Sequence, residues 1–333
     1  MSARLRTAAA VGGSRILGVG AYRPNRLVSN EEVAAPIDSS DEWIRKRSGI
    51  TTRRFAAEDE SVVSMAAEAS LKALAQAGVA PESVDTVLLA SMSYLEQSPA
   101  GAPQVAHLIG AKEPGAMDVG AACAGFCYAL ATGDALVRSG TSRHVVVVGS
   151  EKMSDIVSGT DRGTAFLFGD GAGAVVLGPS DEPGIGPVAW GSDGGRRELI
   201  AHDRTWLDVR DEAGPWPTLR MAGPEVFRWA VATAPRVARR ALDLAGLLPQ
   251  DVAAFIPHQA NGRIIDSVAR ELQLPEGVAV AREVVSVGNT SAASIPLAME
   301  DLLNSVALPS GSPALLVGFG AGLVHAAQVV VLP

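Results

Sequence analysis

Short runs of β-branched residues alternate with segments of helical periodicity along most of the chain, and this order constrains the fold more than any other feature. SRILGVGAYRP and DTVLLASMS have the composition of strands, whereas SVVSMAAEASLKALAQAG between them repeats its apolar residues with helical spacing. Strands that are joined by helical crossovers are typical of α/β proteins. The pattern therefore predicts an α/β fold built around buried sheets.

The same alternation resumes after a turn-rich segment, SDEPGIGP, that contains few apolar side chains. VVVVGSE followed by GAGAVVLG closes the first part of the chain, and ALLVGFG followed by AAQVVVL closes the second. Two strands punctuated by glycine thus end each part, as an internal duplication would produce, although two pairs of valine-rich segments can also resemble each other by chance. We predict two similar halves, residues 1–180 and residues 181–333.

Composition excludes several classes of protein. With 47% hydrophobic and 19% charged residues, the chain is too apolar for a disordered protein. Its formal net charge of −8 argues against a nucleic-acid partner, which would need a basic surface. The longest apolar runs are far shorter than the about 20 residues that cross a bilayer, and the opening MSARLRTAAAVGGSRIL lacks the apolar core of a secretory signal. We therefore expect a cytoplasmic protein that binds neither membranes nor nucleic acid.

Cys123 is the first candidate for a chemical role. It follows a short strand-like segment in DVGAACAGFCYAL and precedes an almost wholly apolar helical pattern. A thiol at a helix N-terminus faces unpaired backbone N–H groups and the positive end of the helix dipole, which lower the thiol's pKa. We interpret Cys123 as a candidate nucleophile, with the alternative that it is a small buried apolar residue. For Cys127, one turn further on, we favour the buried role.

His258 and Asn289 are candidate partners for that thiol, because nucleophilic catalysis needs polar groups that manage protons and charge. His258 ends the strand FIP and is followed by a cluster of polar residues. Such strand ends are where α/β folds place ligand sites. Asn289 interrupts the apolar pattern in GNTSAAS before the next helix, although it could equally cap that helix. The other histidines have positions more typical of structural or solvated side chains.

Together these segments resemble the β-ketoacyl-acyl carrier protein synthase III family. Cys123 in DVGAACAGF, His258 in IPHQANGRI and Asn289 in GNTSAASIP are similar to that family's Cys-His-Asn triad. The family's other motifs are matched in order by DSSDEWIRKRSGI, TDRGTAFLFGDGAGAVVLG and GFGAGLVHAAQ, and the resemblance runs from about Ser14 to Pro333. It implies the thiolase fold, an αβαβα layered sandwich of two pseudo-repeated halves, and a homodimer.

The resemblance further implies a decarboxylating Claisen condensation that initiates fatty acid or polyketide chains. The Cys123 thiolate would attack an acyl-CoA starter and hold the acyl group, and malonyl-acyl carrier protein would then enter. His258 and Asn289 would stabilise the enolate that forms as carbon dioxide leaves, and the backbone N–H groups of Cys123 and Ala321 would bind the thioester oxygen. This reaction needs neither a metal nor a cofactor, since acyl-CoA is a substrate.

Binding residues are implied in the same way. Trp43 and Arg162 would hold the adenine of coenzyme A between them, with Arg47 beside it and Asn261 nearer the pantetheine. Three arginines stand where the family presents basic residues to the acidic acyl carrier protein: Arg228, Arg263 and Arg270.

The acyl pocket is the part of the resemblance where this chain departs from the family. The predicted walls are Ser98, Met153, Phe168, Leu219 and Phe319. Ser98 stands where some members have a phenylalanine that reaches into the acyl pocket of the other subunit. Because serine is smaller, we expect an enlarged pocket that accepts branched or longer acyl groups.

Two other functions remain open at this point. Some relatives on the same fold move an acyl group to an alcohol or amine without condensation, but they carry an acid at the position of Asn289. A non-catalytic partner subunit of a ketosynthase heterodimer would usually lack the nucleophile, whereas this chain has all three triad-like residues. Thiolase activity is disfavoured because the C-terminal half contains no cysteine.

Overall fold

Two five-stranded sheets organise the protein, which was analysed as a computed structural model that describes residues 10–212 and 214–333. Most of the opening segment that we expected to carry no secretory signal lies outside the described residues. The strands are β1 (Gly13–Tyr22), β2 (Arg26–Ser29), β3 (Thr52–Phe55), β4 (Thr86–Ala90), β5 (Gly115–Val119), β6 (Val145–Glu151), β7 (Gly171–Ser180), β8 (Ala189–Gly191), β9 (Ile200–His202), β10 (Leu219–Met221), β11 (Ala254–Pro257), β12 (Ala279–Val280), β13 (Pro313–Gly320) and β14 (Val324–Val331).

Helices cover both faces of each sheet. They are α1 (Asn30–Ala34), α2 (Asp41–Ser48), α3 (Val62–Ala77), α4 (Gly101–Ile109), α5 (Gly125–Arg138), α6 (Trp206–Glu212), α7 (Gly223–Ala245), α8 (Gly262–Glu271), α9 (Val284–Val287) and α10 (Ser294–Ser305). Within the described ranges, none of these helices combines the length and the apolarity that a membrane span requires.

The two sheets have the same strand order. The first runs β1-β7-β6-β4-β5 and the second runs β8-β14-β13-β11-β12. In each sheet the first strand of the half pairs antiparallel with the last, and the inner strand pair β6–β4 or β13–β11 is parallel. The two similar segments of the sequence form the equivalent pairs β6–β7 and β13–β14. This equivalence confirms the prediction of two pseudo-repeated halves.

The sheets and helices form five layers. α3 and α4 pack on the outer face of the first sheet, α5 and α10 lie between the sheets, and α7 and α8 cover the outer face of the second. The valines at 145–148 are fully buried: alternate side chains enter the clusters on opposite faces of the first sheet, which explains why the run is continuously apolar. The predicted αβαβα sandwich is therefore confirmed. Since all strands of the first sheet precede residue 181, we keep the division at residue 180 as a proposal.

Candidate active site

Cys123, His258 and Asn289 come from distant segments of the chain but line one cavity of about 590 Å³. Cys123 lies in a 3-10 turn, Ala122–Ala124, directly before the central helix α5, so it occupies the helix start that the sequence predicted. His258 follows β11, and Asn289 follows α9. All three residues are buried, with exposed fractions of 8%, 2% and 5% respectively. The three candidate catalytic residues therefore line the same cavity.

Two turns of unusual backbone geometry meet at the sulfur. Ala122 and Ser291 both have left-handed φ angles, 43° and 49°, which are unfavourable for residues with a Cβ atom. Each residue begins a 3-10 turn that leads into a central helix, α5 or α10. The Ser291 hydroxyl donates a hydrogen bond to Cys123 Sγ at 3.3 Å. Strained backbone of this kind persists where surrounding packing holds it, and it clusters at functional sites.

The prediction that the helix N-terminus lowers the pKa of the Cys123 thiol is wrong. Burial raises the pKa of the Cys123 thiol to about 12, and the negative charge of Glu151 adds to the rise. The hydrogen bond from Ser291 opposes it. Cys123 does lie at the helix N-terminus, but the sequence could not show how completely the packed halves enclose it. The resting sulfur is therefore a neutral thiol.

His258 presents a neutral N–H donor to the cavity. Its Nδ1 lies 2.7 Å from Ser294 Oγ, and that oxygen also accepts the backbone N–H of Gln259 at 3.3 Å. Since that oxygen already accepts one N–H, we assign its own proton to Nδ1, which puts the imidazole proton on Nε2. Burial lowers the pKa of His258 to about 3, which keeps the ring neutral near pH 7. Phe319 packs edge-on against the ring at a centroid distance of 5.1 Å.

Asn289 presents a second donor. Its Oδ1 accepts the backbone N–H of Ser291 at 2.9 Å, which orients the carboxamide and leaves the Nδ2 hydrogens available. The backbone of Asn289 is itself tied to Leu167 and Gly169 by hydrogen bonds of 2.8 and 3.0 Å. Two prepositioned N–H donors and a thiol in one buried cavity can bind a developing oxyanion next to a nucleophile.

The mouth of the cavity carries the predicted aromatic and basic group. The guanidinium carbons of Arg162 and Arg47 lie 5.1 and 5.8 Å from the centroid of the Trp43 indole, and Phe166 packs edge-on against it at 4.9 Å. Asn261 caps α8 by accepting the backbone N–H of Arg263 at 2.9 Å. Trp43, Arg47, Arg162 and Asn261 all line this cavity.

The remaining predicted residues divide into those that line the cavity and those that do not. Its walls include Phe168, Leu219, Phe319, Arg228 and Arg263. Four predicted residues do not line it: Met153, Ser98, Arg270 and Ala321. Met153 is fully buried in the cluster behind Phe168 and Leu219, because packing between the halves covers it. Ser98 and Arg270 are exposed, and Ala321 is partly exposed in the turn after β13.

Several functional candidates were missed by the sequence analysis. Ser291 and Ser294 both belong to GNTSAAS, so their spacing from Asn289 was visible in the sequence, but only the fold shows that they reach Cys123 and His258. Gly320 was also missed: a Cβ atom there would lie 2.8 Å from the backbone N of Cys123. Other apolar walls of the cavity come from Met92, Phe166, Ile200, Met221, Val226 and Trp229.

Comparison with known proteins gives the family. A family model described as 3-oxoacyl-(acyl-carrier-protein) synthase III matches residues 117–194, and the model of its C-terminal part matches residues 242–332. Beta-ketoacyl-(acyl-carrier-protein) synthase III of Streptomyces glaucescens is 51% identical over 321 residues, which cover 96% of each chain.

Solved structures agree with this assignment. The priming β-ketosynthase of a polyketide biosynthetic pathway superposes with a TM-score of 0.97 at 48% identity, covering 99% of this chain and 98% of that one. The structure of 3-oxoacyl-(acyl carrier protein) synthase III from Pseudomonas aeruginosa superposes with a TM-score of 0.89 at 38% identity, covering 96% of this chain and 98% of that one. The chain therefore belongs to the 3-oxoacyl-(acyl-carrier-protein) synthase III family of thiolase-fold ketosynthases.

Proposed function

We propose that this protein catalyses the decarboxylating condensation of an acyl-CoA starter with malonyl-acyl carrier protein, through an acyl thioester on Cys123. The observation that carries the proposal is the single cavity that holds a thiol, two oriented N–H donors and, at its mouth, the pair of Trp43 and Arg162. The names of the relatives support the same reaction, and one of the similar structures is a priming ketosynthase of a polyketide pathway.

In the first half of the reaction, the sulfur of Cys123 attacks the thioester carbonyl of acyl-CoA. The S–H bond breaks, a new thioester forms on Cys123, and the proton leaves with the coenzyme A thiol. The backbone N–H of Cys123 at the start of α5 would bind the oxyanion of the tetrahedral intermediate, with a second N–H from Ala321, which itself does not line the cavity but directly follows the lining residue Gly320. The helix N-terminus also favours the negative charge that develops on sulfur as the proton leaves.

In the second half, malonyl-acyl carrier protein enters and its carboxylate leaves as carbon dioxide. The electrons form an enolate, whose oxygen accepts hydrogen bonds from Nε2–H of His258 and Nδ2–H of Asn289. The enolate carbon then attacks the thioester carbonyl on Cys123 and a carbon–carbon bond forms. The cysteine sulfur leaves as a thiolate, which takes up a proton from solvent to restore the thiol. The neutral state of His258 suits this role, because a neutral donor stabilises the enolate without giving up its proton early.

Substitution of Gly320 tests how closely β13 must approach the nucleophile. We expect Gly320→Ala to slow acylation of Cys123 by about 100-fold, because the new methyl group displaces the turn that holds the sulfur. Single-turnover acylation, followed by the mass of the loaded protein, measures the rate. The control is Gly277→Ala, where a Cβ atom would meet no atom within 4 Å. Acylation of the Gly320 variant at the wild-type rate would contradict the close approach of β13 to Cys123.

Removal of the indole at the mouth tests the coenzyme A site. We expect Trp43→Ala to raise KM for acyl-CoA about 10-fold, which corresponds to the loss of one base–aromatic stack, and to leave KM for an acyl-pantetheine thioester unchanged. Trp206→Ala is the matched control, since Trp206 is an exposed tryptophan outside the cavity. An equal rise for both thioesters would show that Trp43 does not bind the adenine.

The partners follow from the same proposal. Arg228 and Arg263 at the cavity, together with the exposed Arg270, give this acidic protein a local basic surface for the acidic carrier protein. A homodimer is supported by the edge strand β5, which among the described strands pairs only with β4 and exposes Met117 to 44%. In such a dimer Ser98 would face the partner's acyl pocket. We place the reaction in the cytoplasm.

The proposed function is tested with a substrate panel. Wild-type protein is incubated with acetyl-CoA, isobutyryl-CoA or hexanoyl-CoA, and the mass of the loaded protein identifies the starters that acylate Cys123. Malonyl-acyl carrier protein is then added, and we expect release of carbon dioxide together with a β-ketoacyl carrier protein. Loading without condensation would indicate simple acyl transfer instead. Strict preference for acetyl-CoA would contradict the enlarged pocket expected from Ser98.

A further inference from the structure

Glu151, the last residue of β6, is a completely buried acidic side chain that the proposed mechanism does not use. It lies at the end of VVVVGSE, where the first sheet meets the turn that begins α10. Gly149 permits this contact, because a Cβ atom there would lie 2.3 Å from the carbonyl oxygen of Ala292. The carboxylate of Glu151 accepts the backbone N–H of Ala292 at 3.2 Å. Glu151 therefore touches the turn that carries Ser291.

A second group of donors holds the same carboxylate from the other side. The backbone N–H groups of Met92 and Ser93 each donate to it at 3.0 Å, the Ser91 hydroxyl donates at 3.1 Å, and the Ser93 hydroxyl also donates to it. All of these contacts are donors, which only an ionised carboxylate can accept in full. Burial raises the pKa of Glu151, while the hydrogen bonds from the Ser93 hydroxyl and from the backbone N–H groups of Met92 and Ala292 oppose that rise. The site is built for a buried negative charge.

We propose that Glu151 is a positioning residue for Cys123, because its carboxylate holds the Ser291–Ala293 turn so that the Ser291 hydroxyl meets Sγ. The inference rests on the proposed role of Cys123 as the nucleophile. Two opposing influences thus act on one atom: the hydroxyl favours the thiolate, and the carboxylate favours the thiol.

Two titratable neighbours of the sulfur among the described residues, His258 and Cys127, are neutral, so we assign the local charge to Glu151. His258 lines the same cavity with its pKa lowered to about 3, and Cys127, one turn along α5, has its pKa raised to about 12 by burial. A thiol that stays protonated resists oxidation, because oxidants attack the thiolate. Glu151 would therefore keep the resting thiol protonated and protected from oxidation. Negative charge would develop on the sulfur only when it attacks a thioester carbonyl whose oxygen is bound by backbone N–H groups.

The test is the rate constant for alkylation of Cys123 by iodoacetamide at pH 8 in the folded, substrate-free protein, with the modified residue identified by mass spectrometry. This readout involves no thioester, so its failure is separate from failure of the proposed condensation. We expect alkylation to be about 10-fold faster or more in Glu151→Gln, because removal of a like charge beside the sulfur raises the thiolate fraction about 10-fold for each unit by which the pKa falls. Glu151→Asp retains the charge but is one methylene shorter, so the turn at Ser291 loses its contact with the carboxylate and alkylation should be slower than in the wild type.

Two further variants complete the design. Asp170→Asn is the matched control, since Asp170 is another buried carboxylate whose pKa is raised by burial, but it binds Ala56 and Ser154 instead of the turn at Ser291. Its alkylation rate should equal that of the wild type. Ser291→Ala removes the hydroxyl itself and should slow alkylation to a similar extent as Glu151→Asp, and this agreement decides the matter if Glu151→Gln does not fold. A wild-type rate in folded Glu151→Gln, in Glu151→Asp or in Ser291→Ala would overturn the proposal.

Discussion

Cys123→Ala is expected to abolish both acyl loading and condensation, with a loss of about 10⁴-fold or more in kcat. The nucleophile is a member of a group of residues that act as a unit, and removal of such a member eliminates nearly all of their joint contribution. The reason here is direct, since the acyl group has no other acceptor atom in the proposed mechanism. The measurement is the mass of the protein after incubation with acyl-CoA, combined with the yield of β-ketoacyl carrier protein.

Cys127→Ala provides the control for this experiment. Cys127 is fully buried, is one helical turn from Cys123 and does not line the cavity. The change removes one sulfur from the core and is expected to cost about 1 kcal/mol of the free energy of unfolding. Loading should continue at nearly the wild-type rate. If instead Cys127→Ala lost loading while Cys123→Ala kept it, the assignment of the nucleophile would be wrong.

His258→Ala and Asn289→Ala are each expected to slow decarboxylation of malonyl-acyl carrier protein by about 100- to 1,000-fold, the usual effect of removing one oxyanion donor. Loading of Cys123 should be much less affected, because the two donors act on the enolate of the second substrate. Carbon dioxide release and protein mass measure the two steps separately. His107→Ala, on the exposed face of α4, is the control and should change neither.

The pH dependence of decarboxylation follows from the same residues. Because the pKa of His258 is lowered to about 3, its imidazole stays neutral as the pH falls from 8 to 5, and the rate should show no inflection near the ordinary histidine pKa of about 6.5. An inflection near that value that is absent in His258→Ala would show that the ring is protonated within this range. The lowered pKa also means that protonating His258 destabilises the folded state, so its contribution to stability is present above pH 6.5 and declines as the pH falls toward 3.

The fold class and the positions of the triad were readable from the order of residues along the chain. Alternating strand and helix patterns are local, so they predicted the α/β fold, and the repeated pair of glycine-punctuated strands predicted the two halves. Cys123 before an apolar helix and His258 after a buried strand were visible for the same reason. A resemblance to known motifs then joined Asn289 to them.

The electrostatic state of the site depended on tertiary structure. Whether a helix N-terminus lowers the pKa of Cys123 is decided by how completely the second half covers the sulfur, and here burial prevails. The contact between Ser291 and Cys123 joins residues that are 168 positions apart, and Glu151 reaches the turn at Ala292 across 141 positions. Desolvation and through-space charge act between atoms that packing brings together, so no local pattern in the sequence encodes them.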